Sequence, residues 1–263
     1  MYKAIICFDL DGTLLDERER IRKPDMEILQ NNRDYLFVPA TGRSYESVKR
    51  LFHQNQLFVG QKLPLPLITM NGAVAFAPQE EMVVEFLFTA AEKQQIRSVI
   101  EKNQHISFLM QGHDNSYLLW PNEFGLGCLN RYDLHYTLDP MPESFEFFKV
   151  MCFCGEPDVL HSFVNSVKEL PVEKAYGTPF IYEFTPPGVN KGRALTALAE
   201  SMNVSHLPIF AAGDGGNDVE TFRVAKRSFA PKGSLPFVLD AADEVIEPDG
   251  VGLLSQMIER SMN

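Results

Sequence analysis

Residues Ile5 to Asp16 read I-I-C-F-D-L-D-G-T-L-L-D, and this stretch decides the fold. Ala4 to Phe8 is a short apolar run, the pattern of a strand buried on both faces, and it stops at Asp9. Asp11, Gly12 and Thr13 follow. Side chains alternate along an extended chain, so Asp9 and Asp11 can face one pocket while Leu10 turns into the core. Gly12 lets the backbone bend away from the strand. In open α/β sheets reactive groups gather just past the carboxyl ends of strands, which is where these aspartates fall. Taken alone, a D-x-D pair reads first as a solvated turn, because Asp is a common turn former. The segments around it decide between the two readings.

Downstream of this stretch, strand-like and helix-like segments alternate. Pro24 opens a helix expected to run to Asn31, and Tyr35 to Val38 reads as a second buried strand ending in Pro39-Ala40-Thr41-Gly42-Arg43. Ser44 is a good N-cap for an amphipathic helix carrying Val48, Leu51 and Phe52 at helical spacing. Thr41 and Gly42 therefore sit between a strand end and a helix start. Free backbone N–H groups and a positive dipole end bind phosphate well there, although T-G-R alone is also an ordinary helix entrance. Leu67 to Met70 is a further apolar run stopped by the turn pair Asn71-Gly72, which can present an amide to the same pocket.

From about Phe76 the texture changes. Strands are expected near Val83 to Phe88, Ser107 to Gln111, Tyr117 to Trp120, Phe147 to Phe153, Val172 to Tyr176 and Ile181 to Thr185. Helices are expected over Ala90 to Asn103 and Pro157 to Leu170, and the Gly- and Pro-containing stretch after Trp120 reads as irregular. This mixture predicts an inserted α+β domain over residues 82–186, with a smaller sheet and helices on one face. The core is then split between residues 1–81 and 187–263. Past Thr185-Pro186-Pro187-Gly188 the doubly wound rhythm returns. Asn190 caps a helix starting at Lys191, and the strand Leu207 to Ala211 empties into G-D-G-G-N-D, Gly213 to Asp218. A glycine-rich turn bearing Asp214, Asn217 and Asp218 is a good oxygen-ligand site for a hard cation.

Composition narrows the function classes. The chain has 263 residues, 45% hydrophobic and 22% charged, which are ordinary globular values. Its formal charge of -11 and the lack of a basic stripe disfavour nucleic acid as a partner. The four cysteines, Cys7, Cys128, Cys152 and Cys154, form neither a C-x-x-C pair nor a disulfide ladder. Cys152 and Cys154 fall on one face of a strand, where packing is favoured over metal binding. The six histidines show no H-x-H or H-E-x-x-H spacing, so a histidine metal site is not expected. The N-terminal residues lack a signal peptide's apolar region, and no run reaches the roughly 18 apolar residues of a membrane span. A cytoplasmic protein without membrane association, monomer or homodimer, is expected.

The four segments stand in an order that resembles the haloacid dehalogenase superfamily. The likeness is to its Cof-type phosphatases, which carry a large cap of C2B type between the second and third motifs. Asp9 to Leu14 matches the first motif, Thr41-Gly42-Arg43 the second, Asn190-Lys191-Gly192 the third and Gly213 to Asp218 the fourth. Asp240 to Gly252 is also similar to the family's closing segment. The resemblance implies an α/β fold: a doubly wound, parallel-sheet, Rossmann-like core with an inserted α+β cap. It implies that Asp9 is the nucleophile, forming an aspartyl-phosphate, and that Asp11 is the acid for the leaving alcohol and then the base for water. By the same resemblance Asp9, the backbone carbonyl of Asp11 and Asp214 hold a divalent cation, with Asp218 a ligand or orienting group. Thr41, Gly42, Lys191 and Asn217 grip the phosphoryl oxygens. Arg43 either touches substrate or cap, or holds the helix entrance.

Such a site gathers several carboxylates around a phosphate dianion with few cations to offset them. Two unit charges 4 Å apart interact by about 4 kcal/mol at an effective dielectric near 20, so a cation is needed, and all-oxygen ligands favour Mg2+ over zinc. The implied partner is a small phosphorylated metabolite, a sugar phosphate or similar organic monophosphate. Alternatives are a phosphotransferase or phosphomutase using the same aspartyl-phosphate, or a non-catalytic phosphate-binding module. In the insertion, His113, Tyr117, Trp120 and Asn122 either line a substrate pocket or pack conventionally.

Overall fold

A computed structural model describes residues 2–113, 115–132, 134–248 and 250–262. The chain divides into two compact units, one of residues Met1–Glu85 with Asn190–Asn263 and the other Phe86–Val189. These limits differ slightly from the insertion expected over 82–186. The strand Glu81–Glu85 pairs antiparallel with Val74–Ala77, which ties it to the first unit.

In the first unit, β1 (Ala4–Phe8) is followed by α1 (Lys23–Asn31), β2 (Tyr35–Pro39) and α2 (Tyr45–Gln54), then β3 (Leu67–Thr69), β4 (Val74–Ala77) and β5 (Glu81–Glu85). The second unit contains α3 (Ala90–Lys102), β6 (Ser107–Gln111), β7 (Ser116–Leu119), α4 (Glu123–Arg131), β8 (Lys149–Phe153), α5 (Pro157–Ser166), β9 (Glu173–Thr178) and β10 (Ile181–Thr185). The first unit resumes with α6 (Lys191–Ser201), β11 (Ile209–Ala212), α7 (Val219–Val224), β12 (Arg227–Pro231), α8 (Pro236–Ala241), β13 (Glu244–Ile246) and α9 (Leu253–Ser261).

Its main sheet runs β13-β12-β11-β1-β2, and the pairs are parallel. β1 lies inside the sheet between β11 and β2, and all five of its residues are buried, which suits an apolar run covered on both faces. Ile6, Phe8, Phe210 and Phe229 pack on one face with Val48, Leu51 and Phe52 of α2, while Ala211 and Ala230 pack on the other with Phe222 of α7 and Val238 of α8. Each fully buried Phe of this core contributes about 1.5–3 kcal/mol. β3, β4 and β5 form a small antiparallel sheet. A parallel bridge from Ala40 to Ile68 joins it to the end of β2.

The last helix is tied back to the first by a buried carboxylate. Asp25, 0% exposed on α1, accepts hydrogen bonds from Leu253 N (3.0 Å) and Leu254 N (2.7 Å), two N–H groups of the first turn of α9. Gly252, at φ +85°, allows this approach, since a Cβ there would meet Asp25 Oδ1 at 2.6 Å. Burial raises the Asp25 carboxyl above its usual range, and the two amides oppose that shift. Asp25→Ala is expected to lower stability in urea by about 1–3 kcal/mol, because it strands two buried donors. Asp25→Asn, keeping one acceptor, is expected to fall between. In the closing segment, Asp243 Oδ2 accepts from the N and Oγ of Ser228, both at 2.8 Å, and Asp249 lies outside the described residues.

The second unit is built on an antiparallel sheet ordered β7-β6-β8-β10-β9. Its strands alternate between two cores, as period-two side chains must. Phe108, Met110, Val150 and Cys152 face Ile96 and Ile100 of α3 and Leu160 and Phe163 of α5. Leu109, Met151 and Phe153 face Leu129 of α4. Helices thus cover both faces rather than the single face expected, and α4 occupies the stretch read as irregular. Two physical features permit α4. Asn122 caps it by accepting from Gly125 N at 2.8 Å, and Gly125 sits so close to β6 that a Cβ would meet Ser107 Oγ at 2.5 Å. Asn122 is therefore a helix cap, and Tyr117 packs edge-on to Phe145 at 4.6 Å.

Candidate active site

The site forms where β1 and β11 end side by side. Phe8 is in register with Ala212, and Asp9 N donates to Ala212 O at 3.0 Å, so the chain leaving β1 and the chain leaving β11 start from one point. After Asp9 the backbone closes a tight turn over Leu10 to Leu14, with Leu15 N donating to Leu10 O at 2.9 Å. Gly12 takes φ +77° within it, and a Cβ there would collide with the Asp214 carboxylate. This position therefore needs glycine twice over, for its dihedral and for the close approach of Asp214. Thr13, fully buried, donates its Oγ1 to Asp214 Oδ1 at 2.9 Å.

Lys191 stands between the carboxylates. Its Nζ donates to Asp9 Oδ1 at 2.6 Å and to Asp218 Oδ1 at 2.7 Å, and its side chain is 0% exposed. Asn190 fixes the start of α6 by accepting from Arg193 N at 2.8 Å, which sets the lysine at the helix entrance. Asp218 is held in turn by Gly215 N, donating to Oδ2 at 3.0 Å. One carboxylate oxygen each from Asp9, Asp214 and Asp218 lie within 4.8 Å of one another.

Three buried or half-buried carboxyls around one ammonium leave an excess of negative charge. Burial lifts the Asp9 carboxyl well above the usual range; Lys191 opposes this, and the charges on Asp218 and Asp214 add to it. Burial also raises Asp214, against the hydrogen bond from Thr13. For Lys191, burial pulls the ammonium down, but the charges of Asp218 and Asp9 override it and hold it above its ordinary value. A group of oxygen donors, crowded and pushed toward protonation, fits a hard divalent cation, which would relieve that repulsion.

Asp11 is placed differently. Its side chain is 53% exposed and its carboxylate is gripped by Arg43, whose Nε donates to Oδ2 at 2.8 Å and Nη2 to Oδ1 at 2.5 Å. Arg43 Nη2 also donates to Glu19 Oε1 at 2.6 Å. The Asp11 carboxylate thus stands outside the group formed by Asp9, Asp214 and Asp218, and Arg43 is engaged with two acids at the helix entrance.

Thr41 is 1% exposed, and its Oγ1 accepts from Arg43 N at 3.1 Å. Gly42 follows it, and a Cβ there would meet Asn71 Oδ1 at 2.9 Å. Asn217 Nδ2 donates to the same Asn71 oxygen at 3.0 Å. Thr13, Glu19 and Asn71 are therefore members of this neighbourhood that the motif reading did not single out as site residues. Thr13 sits inside the first motif, and the turn pair Asn71-Gly72 gave a local signal, but nothing in the sequence around Glu19 marks it.

A family model for haloacid dehalogenase-like hydrolases matches residues 6–251. The chain belongs to that family, in its Cof-type branch, and is a phosphoric monoester hydrolase. It is 27% identical to the YxeH protein of Bacillus subtilis (strain 168), over 92% of each chain. It is 24% identical to 5-amino-6-(5-phospho-D-ribitylamino)uracil phosphatase YitU of the same strain, over 94% of each. Its fold matches that of the HAD subclass IIB sugar phosphatase BT4131 with a TM-score of 0.78 at 23% identity, covering 99% of this chain and 100% of that one. Among the described residues, no helix is long and apolar enough to cross a membrane.

Proposed function

We propose that the protein is a magnesium-dependent phosphatase of small phosphorylated metabolites, sugar phosphates or similar organic monophosphates, acting through an aspartyl-phosphate on Asp9. The observation that carries this reading is the convergence of Asp9, Lys191, Asp214 and Asp218 at the ends of β1 and β11. An Asp9 oxygen attacks phosphorus, the bond from phosphorus to the leaving oxygen breaks, and Asp11 delivers a proton to the departing alkoxide. Water then attacks the phosphoryl group, Asp11 takes its proton, and the bond from phosphorus to Asp9 breaks, releasing inorganic phosphate. Thr41, Gly42, Lys191 and Asn217 hold the phosphoryl oxygens. For Asp11 to act as the acid, its carboxyl leaves the bidentate pair with Arg43 and takes up a proton as substrate binds, because a guanidinium on both oxygens keeps it ionised. When bound by Asp9, Asp214, the Asp11 carbonyl and Asp218, Mg2+ supplies positive charge against the carboxylates and the phosphate.

The second unit is assigned the role of a substrate-selecting cap, on its place in the chain between the second and third motifs. A small phosphorylated substrate is supported by YitU, whose name gives a phosphorylated ribityl compound, and by the sugar phosphatase BT4131. The test is a phosphate-release screen over phosphorylated metabolites. Turnover is expected with magnesium and a loss on the order of 10²-fold or more in chelator. Turnover indifferent to chelator contradicts the proposed metal role. Phosphate appearing only when a second hydroxyl compound is added, as a new ester, marks a phosphotransferase instead.

A further inference from the structure

We propose that Asn71 is a positioning residue of the phosphoryl subsite, holding Asn217 and the Thr41–Gly42 turn in register with Lys191. The inference rests on the phosphatase reading above and assigns a role to a side chain outside the four motifs.

The backbone at this turn is unusual. Met70, Asn71 and Gly72 take φ of +53°, +57° and +99° in succession. Glycine adopts such angles freely and asparagine tolerates them, but an unbranched apolar residue such as Met pays a steric cost in the left-handed region. Strain of this kind persists only where the surroundings over-determine it, and it concentrates at functional sites. Here the surroundings are the motif loops themselves. Met70 N donates to Arg43 O at 3.1 Å and Asn71 N to Thr41 O at 3.0 Å, so the turn is bonded to both ends of T-G-R. Gly72 lies against the entrance of α6, where a Cβ would strike the Asn190 carbonyl and come within 2.9 Å of Lys191 N.

The Asn71 side chain completes the link. It is buried, its Oδ1 sits against Gly42, and the same oxygen accepts from Asn217 Nδ2 at 3.0 Å. One residue thus touches the second motif through Gly42 and the fourth through Asn217, and its turn touches the third through Asn190. These loops supply the groups assigned to the phosphoryl oxygens. With one amide N–H committed to Asn71, the Asn217 carboxamide is fixed in rotation. Misplacing such a donor by an ångström is enough to cost about 10²-fold in turnover.

Asn71→Gly separates the side chain from the backbone, because glycine accepts the left-handed angle at no steric cost. Turnover of a metabolite found in the screen, and binding of inorganic phosphate by calorimetry with magnesium present, are measured for wild type, Asn71→Gly, Asn217→Ala and the double variant. The expected result is a thermal midpoint for Asn71→Gly close to wild type, a kcat/KM loss of roughly 10–100-fold and phosphate binding weaker by about tenfold. The double variant is expected to be no worse than Asn217→Ala alone, the sign of two residues acting as a unit. Asn71→Asp, which also tolerates the left-handed angle, guards against a glycine variant that does not fold, and its added charge is expected to weaken phosphate binding further. Wild-type kcat/KM and phosphate affinity in Asn71→Gly overturn the proposal, as do losses that multiply with Asn217→Ala. A wild-type protein that neither binds phosphate nor releases it from any ester overturns the parent reading instead.

Discussion

Replacing Asp9 with asparagine is expected to abolish phosphate release while leaving the protein folded and, in chelator, at least as stable as wild type. The loss of turnover follows from the proposed chemistry: an amide cannot form the acyl-phosphate, and removal of a catalytic nucleophile costs on the order of 10⁴–10⁶ in kcat. The stability result follows from the charges. Asp9 is 7% exposed, and burial has already driven its carboxyl well above the usual range. Asparagine keeps the shape, removes one of three crowded carboxylates, and leaves Lys191 paired with Asp218 at 2.7 Å. Active-site groups held at such a cost commonly stabilise a protein when neutralised. Urea unfolding in chelator, beside a phosphate-release assay, reads both outcomes. An inactive variant that is also several kcal/mol less stable would point to a structural role for Asp9.

Lys191→Met is expected to lose stability and activity together. The side chain is the cation between Asp9 and Asp218, and methionine fills much of the same volume without charge. Breaking a buried charge network by deleting one partner typically costs about 3–5 kcal/mol, because the other charges stay buried and unpaired. The pH dependence has a definite sign. Burial already raises Asp9 and Asp214 above their unfolded values, and removing the ammonium raises Asp9 further. A carboxyl raised on folding favours the folded state when protonated, so that contribution is lost as pH rises through the raised value. The defect, measured in chelator, is therefore expected to be smallest near the unfolded carboxyl value of about 4 and to widen toward neutral pH. Added magnesium should recover part of it by linkage.

Much of this arrangement was legible in the sequence because its signals are local. β1 is an unbroken apolar run ending in Asp9. Ser44 and Asn190 are good caps, and each accepts from the expected backbone N–H, Ser47 N at 3.2 Å and Arg193 N at 2.8 Å. Four motifs in order led to the expectation that Asp9, Asp11, Thr41, Lys191 and Asp214 gather around one phosphoryl group with Asp218 close by. Asp9, Lys191, Asp214 and Asp218 do meet, whereas the Asp11 carboxylate is turned to Arg43. What was not legible depends on contacts distant in sequence. Gly125 and Gly127 made α4 look like a loop, whereas Gly125 gives the helix close access to Ser107. The bond from Arg43 to Glu19, the capping of α9 by Asp25 and the link from Asn71 to Asn217 each join groups whose spacing carries no periodic pattern. Only the folded backbone brings such pairs within hydrogen-bond range.

The central claim is that Asp9 carries the phosphoryl group during turnover. The most direct measurement is acid quenching of a single turnover with enzyme in excess, followed by peptide mass mapping. The account predicts one phosphoryl group on the peptide containing Asp9, absent in Asp9→Asn and discharged on longer incubation. Stoichiometric phosphate release with no labelled Asp9 at any quench time, in a protein that still requires Asp9, would contradict it and point to direct attack by water.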